Sequence, residues 1–279
     1  MLPVLYNAFD MDKEGHSVFL SIAGFIIKIH FGASIYLYGK PSLQELKKAI
    51  FLYNEGFILK TPQKKYDFLV EFVEKGPYIY HYNKKKTKIQ TEVYEIINKK
   101  KIVANTHISR FQFIYILKYA INILIVNDGF ILHGSANLIN RKAIVYIGPS
   151  GAGKSTIVGL LKNKYSILSD DECYIRNEKG VFYYYQGPFV EKKYNFAKTP
   201  QRYLLSSIFI LHKAERCEIK RSSHTGEVIS QLANQVWIRK DMQKALTNLS
   251  KLIAKIPRYD LFFPKKAAEV FRCISQFNI

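Results

Sequence analysis

The sequence predicts an α/β fold entered through a small β-rich N-terminal domain. The apolar run Ala143-Ile144-Val145-Tyr146-Ile147 has the length of a buried strand and leads through a glycine-rich loop into a helical pattern at Thr156–Leu161. A second short apolar run, Tyr165 to Ser169, follows it, so strand, loop, helix and strand alternate as they do where helices cover a sheet. Residues 1–105 read differently: they are rich in β-formers and hold no catalytic constellation. The expected division is a β-rich accessory domain at 1–105 and an α/β domain at 106–279. The boundary is set by the start of an apolar helical run.

Within 1–105, Phe19 to Phe31 reads as β structure with a turn or bulge at Ala23-Gly24. Tyr36-Leu37-Tyr38 extends the pattern to a break at Gly39-Lys40-Pro41. Ser42 and Glu45 have capping-box spacing, and Leu43, Leu46, Ile50 and Phe51 recur at helical spacing up to Gly56. Tyr66–Val73 and Tyr78–Tyr82 alternate around Glu74-Lys75-Gly76-Pro77 and are expected to form a hairpin. His16, His30 and His81 are isolated and read as structural or surface residues.

In 106–279, Phe111 to Val126 reads as a buried core helix. It contains Gln112, Lys118 and Asn122, and it falls short of the about 20 apolar residues that a membrane span needs. Asn137 to Arg141 reads as a short turn, which would pair the strand carrying His133 with the strand feeding the loop. Tyr183–Tyr185 and Ile208–Leu211 read as strands, and Val228–Trp237 as a helix capped by Thr225. Glu191 to Arg202, with Lys192, Lys193 and Lys198, reads as a basic loop suited to cover a phosphate or hold an acidic peptide. His224 and Arg239 are read as structural rather than functional.

The loop Gly148-Pro149-Ser150-Gly151-Ala152-Gly153-Lys154-Ser155 is a complete G-x-x-x-x-G-K-S phosphate-binding motif (Walker A) in the strand-to-helix context that the motif requires. Glycines let backbone N–H groups turn inward around phosphate oxygens. Lys154 is expected to reach the β- and γ-phosphates and Ser155 to hold Mg²⁺. The helix that opens through Thr156 adds its partial positive charge. The expected ligands are ATP and Mg²⁺.

His133 stands twenty-one residues before Lys154, and Asp170 and Asp171 stand sixteen and seventeen after it. Phosphoryl transfer needs charge neutralisation and alignment, so one carboxylate beside Mg²⁺ is expected. A second, free of the metal, can take the proton from an attacking hydroxyl. Asp170 is assigned as the base and Asp171, with Ser155, as the metal ligand; the reverse order stays open. His133 is read as an orienting or electrostatic group near the γ-phosphate, so the catalytic candidates are Asp170, His133 and Lys154.

The order His-Gly, strand, G-P-S-G-x-G-K-S, helix, strand, Asp-Asp resembles the catalytic domain of HPr kinase/phosphorylase and its relatives. The form HGSA…GPSGAGKST…LSDDE is more similar to the smaller peptide and serine kinases of that superfamily, including those that tailor lasso-peptide precursors. The resemblance covers roughly residues 110 to 270 and includes the closing segment Pro257-Arg258-Tyr259-Asp260-Leu261-Phe262-Phe263-Pro264. It implies a P-loop kinase fold related to phosphoenolpyruvate carboxykinase. It also implies that Asp170 deprotonates a serine hydroxyl while Lys154, Ser155 and Asp171 handle phosphate and metal. The bifunctional enzymes carry a glutamate-initiated R-G-L-G-type signature after the paired aspartates. Here that region reads Gly180-Val181-Phe182-Tyr183-Tyr184-Tyr185-Gln186-Gly187-Pro188-Phe189. The departure argues against HPr as substrate and against phosphorylase activity. It also leaves a second-metal glutamate unassigned, with Glu191 as an unsupported candidate.

Composition bounds these expectations. A chain of 279 residues with 48% hydrophobic content has ample material for a packed core. The net charge of +20, from 42 basic and 22 acidic residues, favours an acidic partner. Enrichment in Lys, Ile, Asn and Tyr together also has a plain compositional origin in an AT-rich coding sequence. The lysine clusters at 84–86 and 99–101 lack the aromatic pattern of an RNA-binding sheet, so nucleic acid is not the expected partner. Cys173, Cys217 and Cys273 show no metal-binding spacing and fit a reducing cytoplasm, with Cys173 read as a buried structural thiol. The N-terminus lacks the basic-then-apolar pattern of a signal peptide. The expected protein is a cytoplasmic kinase, with no membrane partner, acting on serine in a peptide or small protein. A small-molecule kinase and a nucleotide-gated regulator are the alternatives, and a homo-oligomer is left open.

Overall fold

The computed structural model describes residues 11–12, 15–31, 36–37, 40–41, 55–73, 76–77, 79–82, 88–106, 108–189, 194, 196, 198–222, 225–237 and 241–277. The chain divides into two compact units, Met1–Leu124 and Ile125–Ile279. The helix and capping box expected after Ser42 lie outside the described residues, as do Glu191, Lys192, Lys193, His224 and Arg239.

The first unit contains strands β1 (Met11–Asp12), β2 (Gly15–Ile22), β3 (Phe25–Phe31), β4 (Tyr36–Leu37), β5 (Lys40–Pro41), β6 (Phe68–Val73), β7 (Ile79–Tyr82), β8 (Lys88–Glu92), β9 (Tyr94–Asn98) and β10 (Lys101–Asn105), then helix α1 (Arg110–Ile125). Six strands form one sheet in the order β1-β2-β3-β6-β10-β9. The turn expected at Ala23-Gly24 joins β2 to β3, and both residues have positive φ, +52 and +77, as a tight hairpin turn demands. His30 hydrogen-bonds Ser17 Oγ across that hairpin at 3.0 Å, a structural role. The hairpin expected from Tyr66–Val73 and Tyr78–Tyr82 does not form. β6 is flanked on both sides, pairing parallel with β3 and β10, and β7 pairs with β8 instead. Gly76 diverts the chain: a Cβ there would stand 2.7 Å from the backbone of Asn105, whose side-chain amide donates to the Gly76 carbonyl.

Helix α1 belongs to this unit. Phe113 packs on Phe72 with ring centroids 5.8 Å apart, and Tyr115 and Tyr119 pack on Tyr94 at 6.1 and 5.9 Å. Those aromatic contacts place the helix with the N-terminal sheet, whereas the sequence reading opens the second domain with it. Among the described residues no helix is long and apolar enough to cross a membrane.

The second unit contains β11 (Gly129–His133), β12 (Ser135–Ile139), β13 (Lys142–Ile147), α2 (Lys154–Leu161), β14 (Ser166–Ser169), β15 (Glu172–Glu178), β16 (Val181–Tyr185), β17 (Arg202–Lys213), β18 (Glu218–Arg221), α3 (Thr225–Gln235), α4 (Met242–Lys255), β19 (Arg258–Phe263) and α5 (Ala267–Gln276). Its nine strands run β11-β15-β16-β17-β13-β12-β14, with β19 also pairing β17 and β18 pairing β19. β13, β17 and β19 are parallel neighbours. Alternation along the central strands feeds two cores. Val145, Ile147, Ile208 and Ile210 pack with Val228 and Leu232 of α3 and Leu249 and Leu252 of α4. Ile144, Tyr146, Phe209 and Leu211 pack with Ile157, Val158 and Leu161 of α2 and Val270 and Ile274 of α5. Cys173 lies in the first core and is fully buried.

His133 is not on a strand paired with β13. Gly134 breaks the chain, and Ser135–Ile139 forms a separate strand that pairs with β13 through the turn at Asn140-Arg141 and with β14 on its other side. β11 pairs with β15, with His133 opposite Glu172. The expected turn at 137–141 is therefore strand for most of its length, because Ala136 and Ile139 are buried and the polar break falls at Gly134.

Candidate functional site

β13 leads into the glycine-rich loop 148–153. After the buried Ile147 the chain turns with φ of +80 at Gly151 and +105 at Gly153, conformations that L side chains rarely adopt. Gly153 is constrained by space as well, since a Cβ there would stand 2.8 Å from Phe263 Cζ at the end of β19. Gly153→Ala is therefore expected to cost about 1–3 kcal/mol. The readout is the denaturant midpoint at unchanged slope; an unshifted midpoint would contradict the strain.

Lys154 opens α2. Its Nζ donates to the carbonyls of Gly148 at 2.7 Å and Pro149 at 3.2 Å, and the residue is only 7% exposed. A cation so poorly hydrated needs oxygens around it, and the two loop carbonyls supply them. Ser135 Oγ donates to the Lys154 carbonyl at 2.6 Å, anchoring the first turn of α2 to β12. The Ser155 hydroxyl donates to the Asp170 carbonyl at 3.3 Å, tying that turn to the bend after β14.

The two aspartates occupy that bend, and its shape is set by Ser169, whose Oγ accepts from the amides of Asp171 at 3.2 Å and Glu172 at 3.0 Å. Asp170 is buried, 1% exposed, and it is its backbone carbonyl that Ser155 meets. Asp171 turns toward His133: its Oδ1 lies 3.1 Å from His133 Nδ1, and the two side chains are 23% and 42% exposed. The Asp171 carbonyl also lies 3.1 Å from that nitrogen and accepts the Gly134 N–H at 3.0 Å. With Nδ1 as donor, Nε2 is left as the acceptor nitrogen of the neutral ring. The structure thus brings Lys154, Ser155, Asp170, Asp171 and His133 around one end of the sheet.

Sequence reasoning missed Gln235. In the orientation that satisfies its neighbours, its amide nitrogen donates to the carbonyls of His133 and Gly148 at 3.3 Å each. It closes the Val228, Leu232, Gln235 stripe of α3, so a polar residue at an apolar helical position was the signal. Two cations of the basic stretch 191–202 are among the described residues. Lys198 is buried and donates to the Phe189 carbonyl at 2.6 Å, and the Arg202 guanidinium sits over Tyr183 at 4.3 Å and pairs with Glu178. Both cations have partners within the chain, Lys198 buried and Arg202 about half exposed. A cavity of about 350 Å³ elsewhere is lined by Cys217, Glu269, Arg272 and Cys273 among others. Burial, with Cys273 adjacent, pushes the Cys217 thiol well above its ordinary pKa.

Among the described residues, no three of His, Cys, Asp and Glu converge on a metal-sized space. The oxygen donors near the loop are the Ser155 hydroxyl and the two aspartates. That set suits Mg²⁺ arriving on a nucleotide, which keeps several waters and takes one or two carboxylates.

No family model matches the chain, and no curated protein matches it significantly in sequence. Among solved structures it is similar to the HPr(Ser) kinase/phosphatase from Coxiella burnetii, with a TM-score of 0.33 and 10% identity over 52% of this chain and 94% of that one. A likeness at that level fixes neither fold nor function.

Proposed function

We propose that this protein is an ATP-dependent kinase that transfers the γ-phosphoryl group to a serine hydroxyl of a peptide or small protein. The observation that carries the reading is the loop with left-handed Gly151 and Gly153, whose following helix opens with Lys154 and Ser155 and is tied through the Ser155 hydroxyl to the backbone of the bend bearing the partly exposed Asp171–His133 pair. Residues 148–156 cradle the phosphates through inward amides and the helix N-terminus. Lys154 neutralises charge on the transferring group. Ser155 and an aspartate would hold Mg²⁺, which when bound neutralises the β- and γ-oxygens.

The geometry favours the opposite allocation of the aspartates to the one expected from sequence. Asp170 is buried, out of reach of an incoming hydroxyl, which leaves it the metal side. Asp171 is reachable and already pairs with His133, which suits a base that must touch an incoming hydroxyl. Asp171 takes the serine proton, the serine oxygen bonds to the γ-phosphorus, and the bond from that phosphorus to the β–γ bridging oxygen breaks to release ADP. His133 orients the carboxylate. The test is incubation of the purified chain with ATP, Mg²⁺ and serine-containing peptides. The expected result is ADP formed in step with phosphoserine. ADP in step with free phosphate would replace the kinase with a nucleotide-gated regulator.

A further inference from the structure

Resting on the reading of residues 148–155 as a nucleotide site, we propose that His212, Asp260 and Phe262 form its nucleoside end and set its preference for a nucleoside triphosphate over a bare polyphosphate. The first argument is placement. β13, β17 and β19 are parallel and end at one edge of the sheet, and ligands of α/β sheets sit outside the carboxyl ends of strands. β14 runs in the same direction as β13, because both pair antiparallel with β12. Its acids therefore lie on one side of the loop, while β17 and β19 lie on the other. A triphosphate whose γ-group is drawn toward the acids extends its nucleoside toward β17 and β19.

The second argument is nearness to the loop. Leu211 lies 3.6 Å from a Cβ built on Gly148, and Phe263 lies against Gly153. Those contacts belong to the sheet face that carries α2; His212 and Phe262, their chain neighbours at the same strand ends, share the other face with Asp260. The third argument is chemistry. Asp260 Oδ1 stands 2.7 Å from His212 Nε2 and fixes the ring, which stacks on Phe262 with centroids 4.7 Å apart and planes at 19°. Lys220 Nζ sits over the Phe262 ring at 5.3 Å. The imidazole remains 35% exposed and the carboxylate 25%. An oriented flat ring with a carboxylate at its edge offers a base a stacking face and an acceptor for amino or hydroxyl protons.

The test is calorimetric titration of the full chain with ATP and, separately, with inorganic tripolyphosphate, both with Mg²⁺. The wild type is expected to bind ATP at least about tenfold more tightly than tripolyphosphate. His212→Ala should erase that margin and leave tripolyphosphate affinity unchanged. Equal wild-type affinities, or a His212→Ala protein that keeps the margin or loses both ligands equally, would overturn the proposal while leaving the phosphate site standing. A wild type that binds neither ligand would overturn the phosphate site, and this proposal with it. Where His212→Ala fails to fold, Phe262→Leu takes its place, with the same narrowing of the margin expected and an unchanged margin overturning the proposal.

Discussion

Lys154→Met is expected to lower phosphoryl transfer by at least about a thousandfold while leaving the fold and its denaturation midpoint close to wild type. The catalytic loss follows from removing the cation that meets the transferring charge where water is largely excluded. The fold survives because the two carbonyls that Lys154 leaves keep other donors. The Ala152 amide already donates to the Pro149 carbonyl at 3.1 Å, and the Gln235 amide lies 3.3 Å from the Gly148 carbonyl. Replacing a buried charge by an apolar stem of similar length is often neutral for stability. A variant that keeps its activity would remove the phosphate loop from the mechanism. One that unfolds would show that the ammonium is structural.

Substituting each aspartate by asparagine separates their roles, and the expected outcomes differ in kind. Asp171→Asn should cut turnover by about 10²–10⁴-fold, the usual worth of a positioned base, with little change in affinity for ATP and Mg²⁺. Asp170→Asn should instead weaken the Mg²⁺-dependent part of nucleotide binding, because a carboxylate only 1% exposed is out of reach of an incoming hydroxyl and is left to the metal in the proposed reading. Loss of turnover alone from Asp170→Asn, with loss of Mg²⁺-dependent binding from Asp171→Asn, would restore the allocation expected from sequence. Turnover and titration on the same two variants distinguish the cases.

Much of the loop and acid bend was legible because short-range pattern dictates them. A glycine-rich turn between a buried strand and a helix has few other conformations, and the bend at Asp170-Asp171 follows where the apolar run ends at Ser169. The pairing of His133 was not legible. The decisive break was Gly134, one residue that splits what reads as a single run into β11 and β12, and strand partners depend on the whole sheet. The failed hairpin at 66–82 has the same origin, since β6 is claimed on both sides by strands distant in sequence. His212 and Asp260 are forty-eight residues apart and meet only through the parallel register of β17 and β19. Local propensity carries no information about such a register. Gln235 was recoverable in principle, as a polar residue in the apolar stripe of a helix.

The central claim is transfer of a phosphoryl group to a peptide serine. Its most direct test is mass spectrometry of short peptides encoded beside this gene, co-expressed with either the wild type or Lys154→Met. The account predicts a gain of one phosphate on a serine of one such peptide, seen with the wild type and absent with the variant. Unmodified peptides in both cases, from a wild type that binds ATP in titration, would contradict it.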